Sequence, residues 1–246
     1  MSGLLRTAGM ILYVAGYVIL NIPALIKAKF LEKDPLKHEA YCKRKIVGFC
    51  RRCIKVMGMK LEMRGLENIP EGATLTAYNH QSLLDAFVLI GYMPNTRSMV
   101  AKKELEKVPG ISSWMRAGHC IFIDRSSPRA GMVCIKQGAD LLKEGINVTI
   151  APEGTRNNGG ELLDFKGGAF MMATKAEAPV LPVAIEGTYK LFEGNGKKLR
   201  SDRVIVQVLP PIPTAGLSKE EQKELPEKVR QVLQETVNEL KGELNR

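Results

Sequence analysis

From residue 60 onward the chain alternates short apolar runs rich in β-branched residues with longer segments of helical composition. The apolar runs are residues 74–77, 98–101, 120–123, 147–150, 180–185 and 204–209. Helix-like segments at 83–92, 128–143 and 168–176 separate most of them. Short buried strands alternating with helices predict an α/β fold, with a mainly parallel or mixed sheet flanked by helices. Ligand sites in such sheets gather outside the carboxyl ends of the strands. Further on, Ser218-x-x-Glu221 reads as a capping box. Val229, Val232, Leu233, Val237, Leu240 and Leu244 then recur at helical spacing, which predicts a packing helix. A chain of 246 residues fits one such domain with an appendage.

The appendage lies at the N-terminus. Residues 7–26 form an uncharged run of 20 residues, about 30 Å as a helix, which matches a bilayer's hydrocarbon core. A secretory leader fits poorly, because only Arg6 precedes the run and no clean small-x-small site follows it. Asn21 and Pro23 weaken the last turn, so a tilted span and a helix dipping into one leaflet are both open. Lys27, Lys29, Lys33 and Lys37 come next, and the positive-inside bias assigns that flank to the cytoplasmic face.

The net charge of +10 is concentrated here: residues 1–60 hold 12 Lys and Arg against three acids, and residues 61–246 hold 24 against 23. Ile46, Phe49, Cys50, Cys53, Ile54 and Met57 recur at helical spacing, with Lys43, Arg44, Arg51, Arg52 and Lys55 on the other side. That is the pattern of a basic amphipathic helix on anionic lipid. A core-packed helix with a solvated basic face, or a nucleic-acid patch, gives the same pattern. Directly behind a long apolar run the membrane reading is favoured, and no nucleic-acid partner is expected. The expected division is two membrane-associating helices over 1–58 and an α/β domain over 59–246.

Three strand ends carry polar groups. After the run at 74–77 come Asn79 and His80, then a helix expected to start at Ser82, with Asp85 one turn in. Ser82-x-x-Asp85 alone reads as a capping box. His80 changes that reading, because a carboxylate folded back onto one imidazole nitrogen fixes the tautomer and leaves the other nitrogen to accept a proton. The run at 120–123 is followed by Arg125, which in isolation reads as a surface arginine. The third end is Pro152-Glu153-Gly154-Thr155-Arg156, a tight turn with a hydroxyl and a guanidinium suited to phosphate. Lys166 and two glycines at the next helix start add a favourable place for an anion. Five cysteines show no paired zinc spacing, and the three histidines show no ligand spacing, so no metal or disulfide framework is expected. Together the signals suggest a base–acid pair beside phosphate-binding cations, acting on a phosphate-bearing amphiphile.

The segments NHQSLLD, IFIDR, PEGTR with FKGGAF, and VLPVAI resemble, in order and spacing, the four blocks of the glycerolipid acyltransferases. The likeness is greatest to those that acylate 1-acyl-glycerol 3-phosphate (lysophosphatidate), and AKKEL at 101–105 is also similar. The resemblance implies that His80 is the general base and Asp85 its orienting partner. It implies that Thr155 and Arg156 bind the acceptor's phosphate, with Gly154 shaping the turn and Arg125 and Lys102 assisting. Glu153 is then a turn-fixing group, Lys166 a supporting cation, and residues 180–185 line or support an acyl pocket. The implied reaction is acyl transfer from acyl-CoA or acyl carrier protein to the sn-2 hydroxyl, with no cofactor and no acyl-enzyme. Cys120 as a nucleophile is a weaker reading than Cys120 as packing. Another acceptor, a thioesterase and a non-catalytic lipid-binding module are the rival expectations.

Overall fold

The computed structural model describes residues 3–124 and 127–246. In chain order the elements are α1 (Gly3–Leu20), α2 (Ile22–Leu31), α3 (Pro35–Met57), β1 (Lys60–Arg64), β2 (Leu75–Tyr78), α4 (Asp85–Tyr92), β3 (Ser98–Lys102) and α5 (Ile111–Ala117). Then follow β4 (Ile121–Ile123), α6 (Pro128–Lys143), β5 (Val148–Ile150), α7 (Gly167–Ala176), β6 (Val180–Glu186), α8 (Thr188–Leu191), β7 (Arg203–Val208) and α9 (Lys219–Leu244). The strands form one sheet in the order β1-β7-β6-β2-β5-β3-β4. All pairs are parallel except β6 with β7, so the sheet is mixed.

Side chains along β6 show how the sheet is covered on both faces. Val180 and Ala184 join a core with Ile135, Phe170 and Leu233 from α6, α7 and α9. Leu181, Val183 and Ile185 join a second core with Ile54, Met57, Val88 and Leu89 from α3 and α4. Alternate residues of a strand point to opposite faces, so a strand apolar throughout requires helices on both sides. The Ser218 capping box forms as expected, with both reciprocal bonds opening α9.

The N-terminal region departs from expectation. The uncharged run is not one helix: α1 ends at Leu20, and α2 begins beyond Asn21 with Pro23 in its first turn, making three helices in place of two. Among the described residues, α1 is the one helix long and apolar enough to cross a membrane. Its Leu4, Leu5, Ile11, Leu12, Ile19 and Leu20 face outward, as do Ile22, Ile26 and Phe30 of α2. The apolar face of α3 does not. Cys50, Cys53, Ile54 and Met57 are buried within the protein, so the amphipathic pattern here records a core-packed helix with a basic outer side. Gly58 ends that helix in a left-handed conformation, close to the expected boundary.

Candidate active site

His80 lies two residues beyond β2, where the strand's end brings it to the rim of the sheet. Its Nδ1 is 2.8 Å from Asp85 Oδ2. The same oxygen accepts the backbone N–H groups of Gln81 at 2.8 Å and Ser82 at 2.9 Å, while Oδ1 accepts the Thr188 hydroxyl at 2.6 Å. Asp85 is fully buried, and a buried carboxylate persists only when its lone pairs are matched by donors. With donors on every other side, Nδ1 of the imidazole is the protonated nitrogen and Nε2 is left as the acceptor. Only half of the expected capping box forms. Ser82 Oγ accepts from Leu84 N at 3.1 Å and donates to Glu193 Oε2, and the helix begins at Asp85, three residues later than expected.

The loop after β5 is stitched to this turn. Asn157 N donates to the His80 carbonyl at 2.8 Å, and His80 N donates to Glu153 Oε1 at 2.6 Å. Glu153 also accepts from Leu163 N and from the Asn157 amide, so it braces the turn from beneath. Burial raises its carboxyl above the usual range, and these bonds oppose that rise. Gly154 sits at φ +72°, and a Cβ there would lie 2.9 Å from Lys166 Cε. Thr155 and Arg156 are exposed beyond it.

Arg156 does not reach into solvent alone. Its Nη1 donates to Glu193 Oε1 at 2.7 Å, and Glu193 also takes the Ser82 hydroxyl at 2.6 Å and Leu83 N at 3.0 Å. Sequence reasoning assigned no role to Glu193 or to Thr188. Each lies over a hundred residues from its partner in the 81–85 turn, and neither stands in a motif.

A cavity of about 1020 Å³ joins these groups. His80, Lys102, Gly154, Thr155, Arg156 and Lys166 line it together with Val14 and Val18 of α1, Phe49 of α3, Ile90 of α4 and Trp114 of α5. Lys102 closes β3 and pairs with Glu104 at 2.9 Å. Lys166 precedes α7, and its backbone N donates to Pro152 O. Arg125 lies outside the described residues. Residues 180–185 are fully buried and do not line the cavity, so this strand is core and not pocket wall. Cys120 does line it, but burial pushes its thiol up to about 11, which leaves little thiolate and supports the packing reading. No group of His, Cys, Asp and Glu able to hold a metal occurs among the described residues.

The family model described as Acyltransferase matches residues 60–186. The 1-acyl-sn-glycerol-3-phosphate acyltransferase beta of Homo sapiens is 35% identical over 176 residues, covering 70% of this chain and 63% of that protein. The 1-acyl-sn-glycerol-3-phosphate acyltransferase of Saccharomyces cerevisiae is 32% identical over 188 residues, covering 75% and 62%. The chain thus spans about three-fifths of the length of these curated relatives. The crystal structure of the 1-acyl-sn-glycerophosphate (LPA) acyltransferase PlsC from Thermotoga maritima superposes with a TM-score of 0.83 at 29% identity, covering 97% of both chains.

Proposed function

The chain belongs to the acyltransferase family, and from that premise we propose that it transfers an acyl group from a thioester, acyl-CoA or acyl carrier protein, to the sn-2 hydroxyl of 1-acyl-glycerol 3-phosphate, giving phosphatidate. One observation carries this reading: His80, with Nδ1 held by Asp85, and Arg156 line the same cavity. His80 Nε2 accepts the hydroxyl proton as that oxygen attacks the thioester carbonyl. The C–O bond forms, the C–S bond breaks, and the imidazolium returns its proton to the departing thiolate. Asp85 offsets the positive charge on the ring while it lasts.

The acceptor's phosphate is held by Arg156, which keeps N–H groups beyond the one bonded to Glu193, with Thr155, Lys166 and Lys102 alongside. Phosphate recognition favours a lysophosphatidate over an uncharged alcohol, and the apolar cavity walls favour an acyl-bearing acceptor over free glycerol 3-phosphate. Relatives named as 1-acyl-sn-glycerol-3-phosphate acyltransferases support the same choice.

The protein sits on the cytoplasmic face of a membrane in this reading. The outward leucines of α1 and the apolar residues of α2 enter the lipid, and Lys27, Lys29 and Lys33 meet its surface. The decisive experiment incubates purified protein with lysophosphatidate and each donor in turn and identifies the lipid product by mass. His80→Ala should keep acceptor binding and lose turnover by roughly two to four orders of magnitude. Unchanged turnover would overturn the reading, and binding without turnover in the unaltered protein would mark a lipid-binding module.

A further inference from the structure

We propose that Thr188 is a positioning residue for the acid–base pair: its hydroxyl fixes Asp85 through Oδ1 so that Oδ2 stays aligned on His80. The inference rests on the reading of His80 as general base. Thr188 Oγ1 lies 2.6 Å from Asp85 Oδ1, a length typical of a hydroxyl donating to a charged acceptor. Gln81 Oε1 is also near Oγ1, at 3.4 Å. A hydroxyl has one proton, and the shorter contact to the carboxylate takes it.

The placement follows from the fold. β6 runs parallel to β2 as its neighbour, with Tyr78 opposite Val183. The two strands therefore deliver their carboxyl ends to the same edge of the sheet, with β6 running three residues further, His80 two residues past one and Thr188 two residues past the other. Gly187 makes the last turn at φ +102°, and a Cβ there would meet Arg203 O at 2.5 Å. Only glycine permits this close turn, which carries Thr188 over the buried carboxylate. Asp85 thus has each oxygen fixed by a different element: Oδ2 by its own turn, Oδ1 by the neighbouring strand's end. Without the hydroxyl the carboxylate loses the bond that stops it rotating away from the ring, although both backbone bonds remain.

Thr188→Val keeps the shape of the side chain and removes the donor, while Thr188→Ser keeps the donor. The expected result for Thr188→Val is a kcat lowered about tenfold, a part of the general-base contribution, with KM for both substrates little changed. Thr188→Ser should restore most of the rate. The His80 Nδ1 proton, followed by NMR, should lose its hydrogen-bonded resonance position in Thr188→Val and keep it in Thr188→Ser. In a His80→Ala background, Thr188→Val should cost nothing more. Should Thr188→Val fold poorly, Thr188→Cys, with its weak donor, takes its place in the same comparison.

An unchanged kcat and resonance in the donor-poor variant would overturn the proposal, as would an equal loss in the His80→Ala background. If the unaltered protein fails to acylate lysophosphatidate, the functional reading falls, yet the resonance comparison still decides whether Thr188 aligns the pair.

Discussion

Arg156 and Glu193 form an ion pair, Nη1 to Oε1 at 2.7 Å, and the carboxylate of that pair is bonded to the turn that carries His80. In the proposed reading, the cation offered to a phosphate is therefore oriented before any ligand arrives. Preorganisation matters here because the Arg156 side chain is 44% exposed and would otherwise sample many rotamers. Glu193 occupies one of five N–H groups and leaves the rest of the guanidinium for the proposed acceptor.

Glu193→Ala should raise KM for the acceptor roughly tenfold, equivalent to about 1.4 kcal/mol, with a smaller effect on kcat. Arg156→Ala should raise it further, and the double variant should be no worse than Arg156→Ala alone, because the two residues act as one unit. Steady-state kinetics on the four proteins check this. Additive losses would show that Glu193 acts elsewhere.

Gly154→Ala tests the turn. Lys166 Cε is the far end of a flexible side chain and can move, so the predicted clash is minor. The positive φ cannot be relieved so easily, and the substitution should cost about 1–2 kcal/mol. Urea unfolding measures the loss, and a higher acceptor KM should accompany it.

The buried Glu186 supplies a pH signature. Burial raises its carboxyl above the ordinary range, opposed mainly by the bond it accepts from Gln81 Nε2 at 2.5 Å. A carboxyl that binds its proton more tightly when folded stabilises the fold at low pH, and that contribution is lost as pH rises through the raised value. Glu186→Gln cannot titrate. Thermal unfolding of the two proteins should therefore diverge in favour of Glu186→Gln as pH climbs above about 4.3. Parallel curves would show that the carboxyl is not shifted.

Leu12 and Leu20 of α1 are 73% and 78% exposed and line no part of the cavity. Glutamate at both positions should leave unfolding unchanged and weaken sedimentation with anionic vesicles, since each charge opposes burial in lipid by about 2.5 kcal/mol or more. Removing residues 1–58 would be a poorer test, because it would strip Ile54 and Met57 from the core.

Most of the sheet was legible because buried strands announce themselves by continuous apolar runs. β1 was not: Lys60, Glu62 and Arg64 alternate with Leu61 and Met63 on an edge strand, and so short a mixed run looks like loop. α5 was missed for a similar reason, as two serines dilute a single turn or two of helix. The His80–Asp85 pair could be foreseen because one local turn holds both partners. Glu193 and Thr188 could not, since β6 brings them to the site only after the sheet has formed. α3 shows a different limit. Amphipathic spacing states that one face of a helix avoids water, and it does not say whether lipid or protein covers that face.

α1 presents Val14 and Val18 to the cavity and Leu12 and Leu20 outward, so in the proposed reading the anchor is also a wall of the reaction chamber. Extraction into detergent would then disturb catalysis and attachment at a single stroke. Turnover should differ from one micelle to the next even while every group around the imidazole stays in place.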